Sequence, residues 1–469
     1  MEQNECNPAI FRAYDIRGIY PHDVHVEHIP RIAEEFAMLL SRKYQTAVEK
    51  LTIVVGRDIR HGGDTLARAF IESAQSTGIS VIDAGLISTD MMYFAVGHFG
   101  YDGGVIVTAS HNPKEYNGLK FVGRGVDGID GETGIFEMRD RIMHQKAVPA
   151  HSQKGSYQEK DILPDFVSHV LSFVKSEELK PLTIAVDAGN GMGSMVWEAV
   201  SSKLHVNTIP LNFTLDGNFP GRGPDPGQKD SLAELKAAVH EHNADIGFAF
   251  DGDADRMYTV DNQGECVNGS VLIALMAEEF LKMNENASVT ILYNVTGGRI
   301  IRDTLRKYPH AQGIVTPVGH AKIKRLAKQY KADFAGEAQS GHFFFKNNFY
   351  ADSAIIFALK LLEIISRCGA PLSQLAKPYE KYVWSGELNF PLSQNSEKDM
   401  RLKKLKEHYK GTGECLEIDG VRIDFDDWWV SVRPSNTEPL LRVNVEARTN
   451  DALLMRIDEV MEVLGLKGK

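Results

Sequence analysis

Val105-Ile106-Val107-Thr108-Ala109-Ser110-His111-Asn112-Pro113 begins as a β-branched apolar run and ends in small, polar, turn-forming residues. Val, Ile and Thr favour a buried strand. Asn-Pro cannot continue one, because proline lacks an N–H and biases the residue before it toward an extended or turn conformation. Ser110 is therefore presented on a loop at the carboxyl end of a core strand, the place where ligands bind in open α/β sheets. An isolated serine in that position reads more readily as a plain polar strand exit, since loops are rich in Ser and Asn for turn reasons alone. The rest of the chain decides between the two.

The order of elements around this stretch recurs three times. In the first copy a strand over 51–56 precedes a helix over 65–77, a strand over 79–82 and the strand over 104–107 that ends at Ser110. In the second, a strand over 182–187 enters the glycine-rich turn Gly189-Asn190-Gly191-Met192-Gly193 and a helix. A strand over 206–211, a helix over 231–242 and a strand over 246–250 follow and end at Asp251. In the third, strands over 289–294, 313–316 and 332–335 alternate with helices over 299–307 and 320–329 and end at Gly336-Glu337. Short β-rich runs alternating with amphipathic helices imply parallel or mostly parallel sheets covered by helices. From about residue 369 the texture changes to short strands (387–390, 416–418, 430–432, 441–446) with helices over 397–409 and 451–464, an α+β domain. The expected domains are 1–152, 153–260, 261–373 and 374–469, with a polar linker near 144–155.

The chain has 469 residues, a formal net charge of −11, 43% hydrophobic and 25% charged residues. That length suggests roughly three or four domains. The acidic balance argues against nucleic acid as a partner but leaves room for small anions in a local basic pocket. Cys6, Cys266, Cys368 and Cys415 are far apart with no CxxC pair, so neither a disulfide framework nor a zinc site is indicated. The acidic start Met1-Glu2-Gln3-Asn4-Glu5 has no apolar run of a signal peptide, and no stretch is long enough to span a membrane. A reduced, cytoplasmic setting without a membrane partner is the expectation.

Asp251-Gly252-Asp253-Ala254-Asp255-Arg256 follows a strand directly, and its three carboxylates alternate, so they can converge on one side of an extended or tightly turned segment. Hard oxygen ligands of this kind suit Mg²⁺. The EF-hand pattern is not met, since Arg256 and Asn262 stand where its Gly and Glu belong. Arg433-Pro434-Ser435-Asn436-Thr437-Glu438-Pro439, between two strands, can fork a guanidinium onto a phosphate and add neutral donors. Gly336-Glu337-Ala338-Gln339-Ser340-Gly341-His342 is rich in groups that recognise hydroxyls: Glu337 can accept two sugar O–H bonds, and Ser340 can donate or accept. Phe11-Arg12-Ala13-Tyr14-Asp15-Ile16-Arg17-Gly18 and Gly56-Arg57-Asp58-Ile59-Arg60 add arginines that suggest a positive field around a phosphate near Ser110. The turn 189–193 lacks the Lys-Ser/Thr of a P-loop and reads as a tight strand-to-helix turn.

Taken together, Thr108–Pro113, Asp251–Arg256, Gly336–His342 and Arg433–Pro439 resemble the four signature loops of the α-D-phosphohexomutases, in that family's order and over essentially the whole chain. Tyr116-Asn117-Gly118-Leu119-Lys120 and Asn436 are most similar to its phosphomannomutase/phosphoglucomutase branch. The resemblance implies three similar three-layer α/β domains with mixed sheets and a smaller C-terminal α+β domain, arranged around a central cleft. It implies reversible interconversion of hexose 1-phosphate and hexose 6-phosphate, of mannose or glucose, through a phosphoserine at Ser110 and a hexose 1,6-bisphosphate that also serves as activator.

By the same resemblance Asp251, Asp253, Asp255 and a phosphate oxygen on Ser110 hold one Mg²⁺, Lys120 and His342 are candidates for proton transfer, and Arg256 lies beside the transferring group. Glu337 and Ser340 grip the sugar's 3- and 4-hydroxyls, while Arg433, Ser435, Asn436 and Thr437 hold the phosphate that is not reacting. His111 and Arg17 count as further catalytic candidates, and Tyr14 and His320 as further substrate-binding ones. The partners implied are hexose phosphates; a monomer is expected, with a dimer as the alternative. A phosphoglucosamine mutase of the same family and a catalytically silent sugar-phosphate binding protein are the competing readings.

Three departures from the branch stand out. The loop 336–342 is one residue longer than the Gly-Glu-Met-Ser-Gly-His common there. Asn294-Val295-Thr296 stands where many phosphomannomutases carry a Lys, and Gly221-Arg222-Gly223-Pro224-Asp225-Pro226 replaces a His-rich segment.

Overall fold

A computed structural model of the chain describes residues 6–146, 148, 151, 153–435 and 439–466. The chain forms two compact units, one of residues 1–267 with 341–373 and one of residues 268–340 with 374–469. The first unit carries two α/β sheets. In the seven-stranded sheet the strands run in the order Ile16–Ile19, Tyr116–Gly123, Gly103–Val107, Thr52–Arg57, Ser80–Leu86 and Tyr157–Glu159, with Asp127–Ile129 added beside Tyr116–Gly123. Its centre is parallel, but Tyr116–Gly123 lies antiparallel to Gly103–Val107 and Ile16–Ile19 antiparallel to Tyr116–Gly123. The sheet is therefore mixed, where the strand and helix spacing predicts a mostly parallel one.

Alternation along these strands sorts the core. Ile53, Val55, Val105 and Val107 join the cluster built with Ile32, Phe36, Leu40 and Phe70 of the helices Ile29–Tyr44 and Gly63–Ser76. Val54 and Ile106, equally buried, point to the opposite face, where the helix Thr89–Phe99 packs on the same strands. Both faces are covered, which is why these strands read as continuous apolar runs. The second sheet of this unit has the order Met257–Asp261, Ile246–Phe250, Thr183–Asp187 and Asn207–Leu211, with only Met257–Asp261 antiparallel.

The second unit contains a parallel set, Ala311–Thr316, Val289–Asn294 and Phe334–Glu337, with the helices Gly269–Met283, Arg299–Leu305 and His320–Tyr330. It also contains an antiparallel sheet in the order Val383–Trp384, Leu440–Ala447, Trp428–Pro434, Val421–Asp424 and Glu414–Leu416. Leu388–Pro391 pairs with Leu440–Ala447, and the helices Glu397–His408 and Asn450–Leu464 complete this α+β part.

Two expected loops turn out to be partly strand. Gly336 and Glu337 close the strand Phe334–Glu337, and His342 opens the strand His342–Phe345. Arg433 and Pro434 belong to Trp428–Pro434, because antiparallel pairing with Leu440–Ala447 continues through Arg433–Arg442 and Pro434–Leu441. Proline at a strand's last position sacrifices no ladder bond within it. Among the described residues no helix is long and apolar enough to cross a membrane.

Candidate active site

In the first unit Ser110 leaves the strand Gly103–Val107 fully buried, with a left-handed backbone (φ 52°) that a serine adopts only under local constraint. The constraint is visible. Asp58 accepts from Thr108 Oγ1 (2.6 Å) and from the Arg60 backbone N–H (2.9 Å), and Thr108 Oγ1 in turn accepts from the Ser110 N–H (2.8 Å). The Arg60 guanidinium donates to four backbone carbonyls: Ser110 (2.5 Å), Asn112 (2.6 Å), Pro113 (2.8 Å) and Tyr116 (3.1 Å). Arg60 is thus occupied in holding the loop, not free as part of a phosphate-attracting field. Arg57 instead lines a separate groove with Arg68, Glu72 and Asp83.

The hydroxyl of Ser110 faces the carboxylate triplet. Ser110 Oγ donates to Asp251 Oδ2 at 3.0 Å, and a Cβ on Gly252 would come within 2.7 Å of the Ser110 carbonyl oxygen, so only glycine allows the two loops this close. The sequence that brings Asp251 here is held from behind. Arg222 donates to the Asp187 carboxylate (2.6 Å) and to the carbonyl of Phe250 (2.5 Å), and Met192 of the glycine-rich turn donates its N–H to the Gly252 carbonyl (3.0 Å). The departure at 221–226 therefore supplies a brace, and the turn 189–193 supports the acidic loop.

Asp251, Asp253 and Asp255 are fully buried, and each offers a carboxylate oxygen within 4.8 Å of the others'. Lys120 Nζ donates to Asp253 Oδ2 (2.7 Å) and Asp255 Oδ2 (2.6 Å), and Thr89 Oγ1 donates to Asp253 Oδ2 (2.5 Å). Asp253 Oδ1 accepts no hydrogen bond. Burial and the two neighbouring carboxylates push Asp251 well above the usual range. At Asp255 burial acts in the same sense, but Lys120, His342 and Arg256 outweigh it and hold the carboxyl well below. At Lys120 burial opposes the charge, yet the three carboxylates prevail and raise its pKa, so it is held as an ammonium. Three converging hard oxygen donors, with Asp253 Oδ1 and Asp255 Oδ1 accepting no hydrogen bond, fit a divalent cation such as Mg²⁺.

The other candidates of this unit cluster around that centre. His111 Nδ1 is 3.4 Å from Ser110 Oγ; burial, with Arg256, Arg17 and Lys120 nearby, keeps the imidazole well below its ordinary pKa and hence neutral. Arg256 Nε lies 3.8 Å from Asp251 Oδ2 and 3.9 Å from Asp255 Oδ1. His342 Nε2 lies 3.5 Å from Asp255 Oδ1 and 3.6 Å from Asp352 Oδ2, and these three form a second group whose ligand atoms lie close together. Arg17 pairs with Asp15 and donates to Asn112 Oδ1 at 2.7 Å, so it touches the Ser110 loop through Asn112. Tyr14 is half-buried in the bend before the strand Ile16–Ile19.

In the second unit Ser340 Oγ donates to Glu337 Oε2 at 2.8 Å, and Glu337 Oε1 accepts from the Gly319 N–H (2.9 Å) and Asn294 Nδ2 (3.3 Å). His320, the first residue of the helix His320–Tyr330, directly follows the Gly319 donor and is half-buried. Asn294, at one of the departures, therefore serves Glu337. Arg433 is buried, and its guanidinium meets carboxylates: Glu387 Oε2 at 2.8 Å and Asp419 Oδ2 at 3.2 Å. Ser435 is buried and its carbonyl accepts from Lys398 Nζ at 2.6 Å. Asn436 and Thr437 lie outside the described residues.

Reading along the sequence misses Thr89, Asp58, Arg222 and Asp352 as site neighbours, and it misses the clamping role of Arg60. No local pattern marks Thr89, whose contact to Asp253 spans 164 positions. Thr108 could have been found, since it sits in the quoted strand exit.

Comparison with known proteins gives one answer at every level. Residues 8–140, 164–264 and 268–382 match the family descriptions "Phosphoglucomutase/phosphomannomutase, alpha/beta/alpha domain" I, II and III, and residues 387–463 match the C-terminal domain of the same family. A phosphomannomutase of Vibrio cholerae is 33% identical over 466 residues, covering 97% of this chain and 98% of that protein. A Xanthomonas campestris protein described as phosphohexose mutases is 34% identical over 459 residues, covering 97% and 98%. Among solved structures, a phosphoglucomutase/phosphomannomutase family protein from Burkholderia thailandensis superposes with a TM-score of 0.88 at 30% identity, covering 99% of both chains.

Proposed function

This chain belongs to the phosphoglucomutase/phosphomannomutase family, and on that premise we propose that it interconverts the 1- and 6-phosphates of glucose and mannose through a phosphoserine at Ser110 and a hexose 1,6-bisphosphate. The observation that carries the proposal is the Ser110 hydroxyl, buried 3.0 Å from Asp251 at the mouth of a converging carboxylate triplet. A serine meant only to end a strand has no need of a strained backbone, a clamped loop and three acids in front of it.

The chemistry asked of these residues is positioning and charge neutralisation, since phosphoryl transfer leaves little covalent work to the protein. Phospho-Ser110 gives its phosphoryl group to the free hydroxyl of a hexose monophosphate; the bisphosphate turns over, and the other phosphate returns to Ser110. Mg²⁺, held by Asp251, Asp253, Asp255 and a phosphate oxygen on Ser110, would neutralise charge on the transferring group. Arg256 and Lys120, whose pKa the surrounding carboxylates raise, add positive field beside it. We assign the sugar hydroxyl's proton to His342, which sits between Asp255 and Asp352. His111, kept neutral, orients the Ser110 oxygen. Glu337 and Ser340, with His320, read the 3- and 4-hydroxyls, and Arg433, Ser435, Asn436 and Thr437 bind the phosphate that is not reacting; Tyr14 is a further substrate-binding candidate and Arg17 a further catalytic one. Because glucose and mannose share equatorial 3- and 4-hydroxyls, a site reading those alone accepts both.

Steady-state assays with glucose 1-phosphate, mannose 1-phosphate and glucosamine 1-phosphate, with Mg²⁺ and a trace of glucose 1,6-bisphosphate, test the proposal. Turnover of the first two at comparable kcat/KM supports it. A clear preference for glucosamine 1-phosphate, or binding without turnover, overturns it.

A further inference from the structure

Gln339 is the residue that the longer loop 336–342 has to accommodate beside Ala338, and no role falls to it from the family resemblance. The structure shows it anchored. Gln339 Nε2 donates to Asn444 Oδ1 at 2.7 Å, and Trp384 Nε1 donates to the same oxygen at 3.3 Å. Asn444 is fully buried in the strand Leu440–Ala447, where a side-chain amide is costly unless its acceptor is used. The preceding residue is fixed as well: a Cβ on Gly269 would come within 2.0 Å of the Ala338 carbonyl oxygen, so the helix Gly269–Met283 can approach the loop this closely only with glycine at its first position. Between these two holds the loop brings Ser340 Oγ to 2.8 Å from Glu337 Oε2 despite the extra residue. The insertion is therefore a built feature of the loop, its side chain held by an acceptor on a neighbouring strand.

We propose that Gln339 is a specificity-determining positioning residue: bound to Asn444, whose oxygen Trp384 also engages, it sets the spacing of Glu337 and Ser340 and hence the stereochemistry of the vicinal hydroxyls the enzyme accepts. This rests on the proposed role of Glu337 and Ser340 in sugar binding. Glu337 Oε1 is already committed to Gly319 and Asn294, which fixes the carboxylate on one side. Ser340, bonded to Glu337, follows the path of the loop, and Gln339, its immediate neighbour, ties that loop to Asn444. A site whose buried polar groups must be paired rejects a sugar with a misplaced hydroxyl, because that group is left unpaired. Loosening Ser340 should cost both affinity for the matching sugar and rejection of its epimer.

The test compares kcat and KM for glucose 1-phosphate and for its C4 epimer, galactose 1-phosphate, across four forms of the full chain. With Gln339→Ala, KM for glucose 1-phosphate should rise about tenfold, the value of one net hydrogen bond, with kcat changed far less. The glucose-to-galactose ratio of kcat/KM should fall by a similar factor. Asn444→Leu, which removes the acceptor, should repeat that pattern, whereas Asn444→Asp, which keeps an acceptor oxygen for both donors, should restore the wild-type ratio. A Gln339→Ala enzyme with wild-type KM and wild-type discrimination overturns the inference even if Asn444→Leu fails to fold. Equal loss in both Asn444 variants also overturns it, since the acceptor would then not be what matters. If the wild-type chain turns over no hexose phosphate, the function reading fails and takes the inference with it, an outcome that the wild-type control separates from the others.

Discussion

Replacing Arg60 by methionine keeps an apolar stem of similar reach and removes the guanidinium that binds the carbonyls of Ser110, Asn112, Pro113 and Tyr116. A hydrogen bond from a charged donor is worth about 1.5–3 kcal/mol net, so four would total about 6–12 kcal/mol if they were independent. They share one group and their loop can relax toward water, so the observed cost should fall near the ~3–5 kcal/mol found when one partner of a buried ion pair is removed. For a domain of this size that corresponds to a fall in melting temperature of roughly 10 °C. Asp58 would be left buried without its cation. Burial already pushes its carboxyl up to about 6 against the pull of Arg60 and Thr108, and without Arg60 it rises further. A carboxyl whose folded pKa lies above its unfolded value of about 3.9 loses its stabilising proton as pH rises, so the deficit of Arg60→Met should widen between pH 6 and 8. Thermal melts at several pH values, amide hydrogen exchange over residues 108–117, and mutase kinetics read the effect. Arg60→Lys, which retains the charge but not the fork, should fall between the two. An Arg60→Met enzyme with wild-type melting temperature and unchanged exchange in that segment would refute the clamp.

The Thr89 hydroxyl orients Asp253, and outer-shell partners of this kind typically change metal affinity by about 10–100-fold; Thr89→Val should raise the Mg²⁺ concentration for half-maximal activity by that order, while chelation with EDTA silences both forms, and an unchanged Mg²⁺ titration would contradict this. Asp90 is fully buried, accepts from the hydroxyls of Ser88 and Ser353, and is pushed up to about 7, chiefly by burial. Its contribution to stability is complete below about pH 4 and is lost as pH climbs through about 7, so the melting temperature of Asp90→Asn relative to wild type should rise across that window; a difference that stays constant from pH 5 to 8 would show that Asp90 titrates normally.

Local chemistry was the legible part of the sequence. Ser110 and Asp251–Asp255 announce themselves because each strand exit carries its own polar cluster within a few residues, and chain order places them on equivalent strand ends. The helix Ile29–Tyr44 carries a periodic signal too, since Ile29, Ile32, Ala33, Phe36, Ala37, Leu39 and Leu40 form a buried stripe at helical spacing, although it precedes the first copy of the repeated element order. The helices Gly269–Met283 and Ala354–Cys368 are buried over most of their surface, so they lack the polar face that makes periodicity visible. The roles of Arg60, Arg222 and Arg433 were not legible for a different reason. An arginine's spelling does not say whether its fork meets a phosphate, a carboxylate or a carbonyl. Arg60 meets carbonyls at least 50 positions away, Arg222 braces Asp187 and Phe250, and Arg433 meets Glu387 and Asp419.

The central claim is that Ser110 carries the phosphoryl group. Intact-mass analysis with peptide mapping after incubation with glucose 1,6-bisphosphate and Mg²⁺ should find one added phosphoryl group, on Ser110. It should be discharged by glucose 1-phosphate or mannose 1-phosphate and be absent from Ser110→Ala, which should have lost mutase activity. A Ser110→Ala enzyme that turns over at the wild-type rate, or a dischargeable phosphoryl group on another residue, would contradict the account.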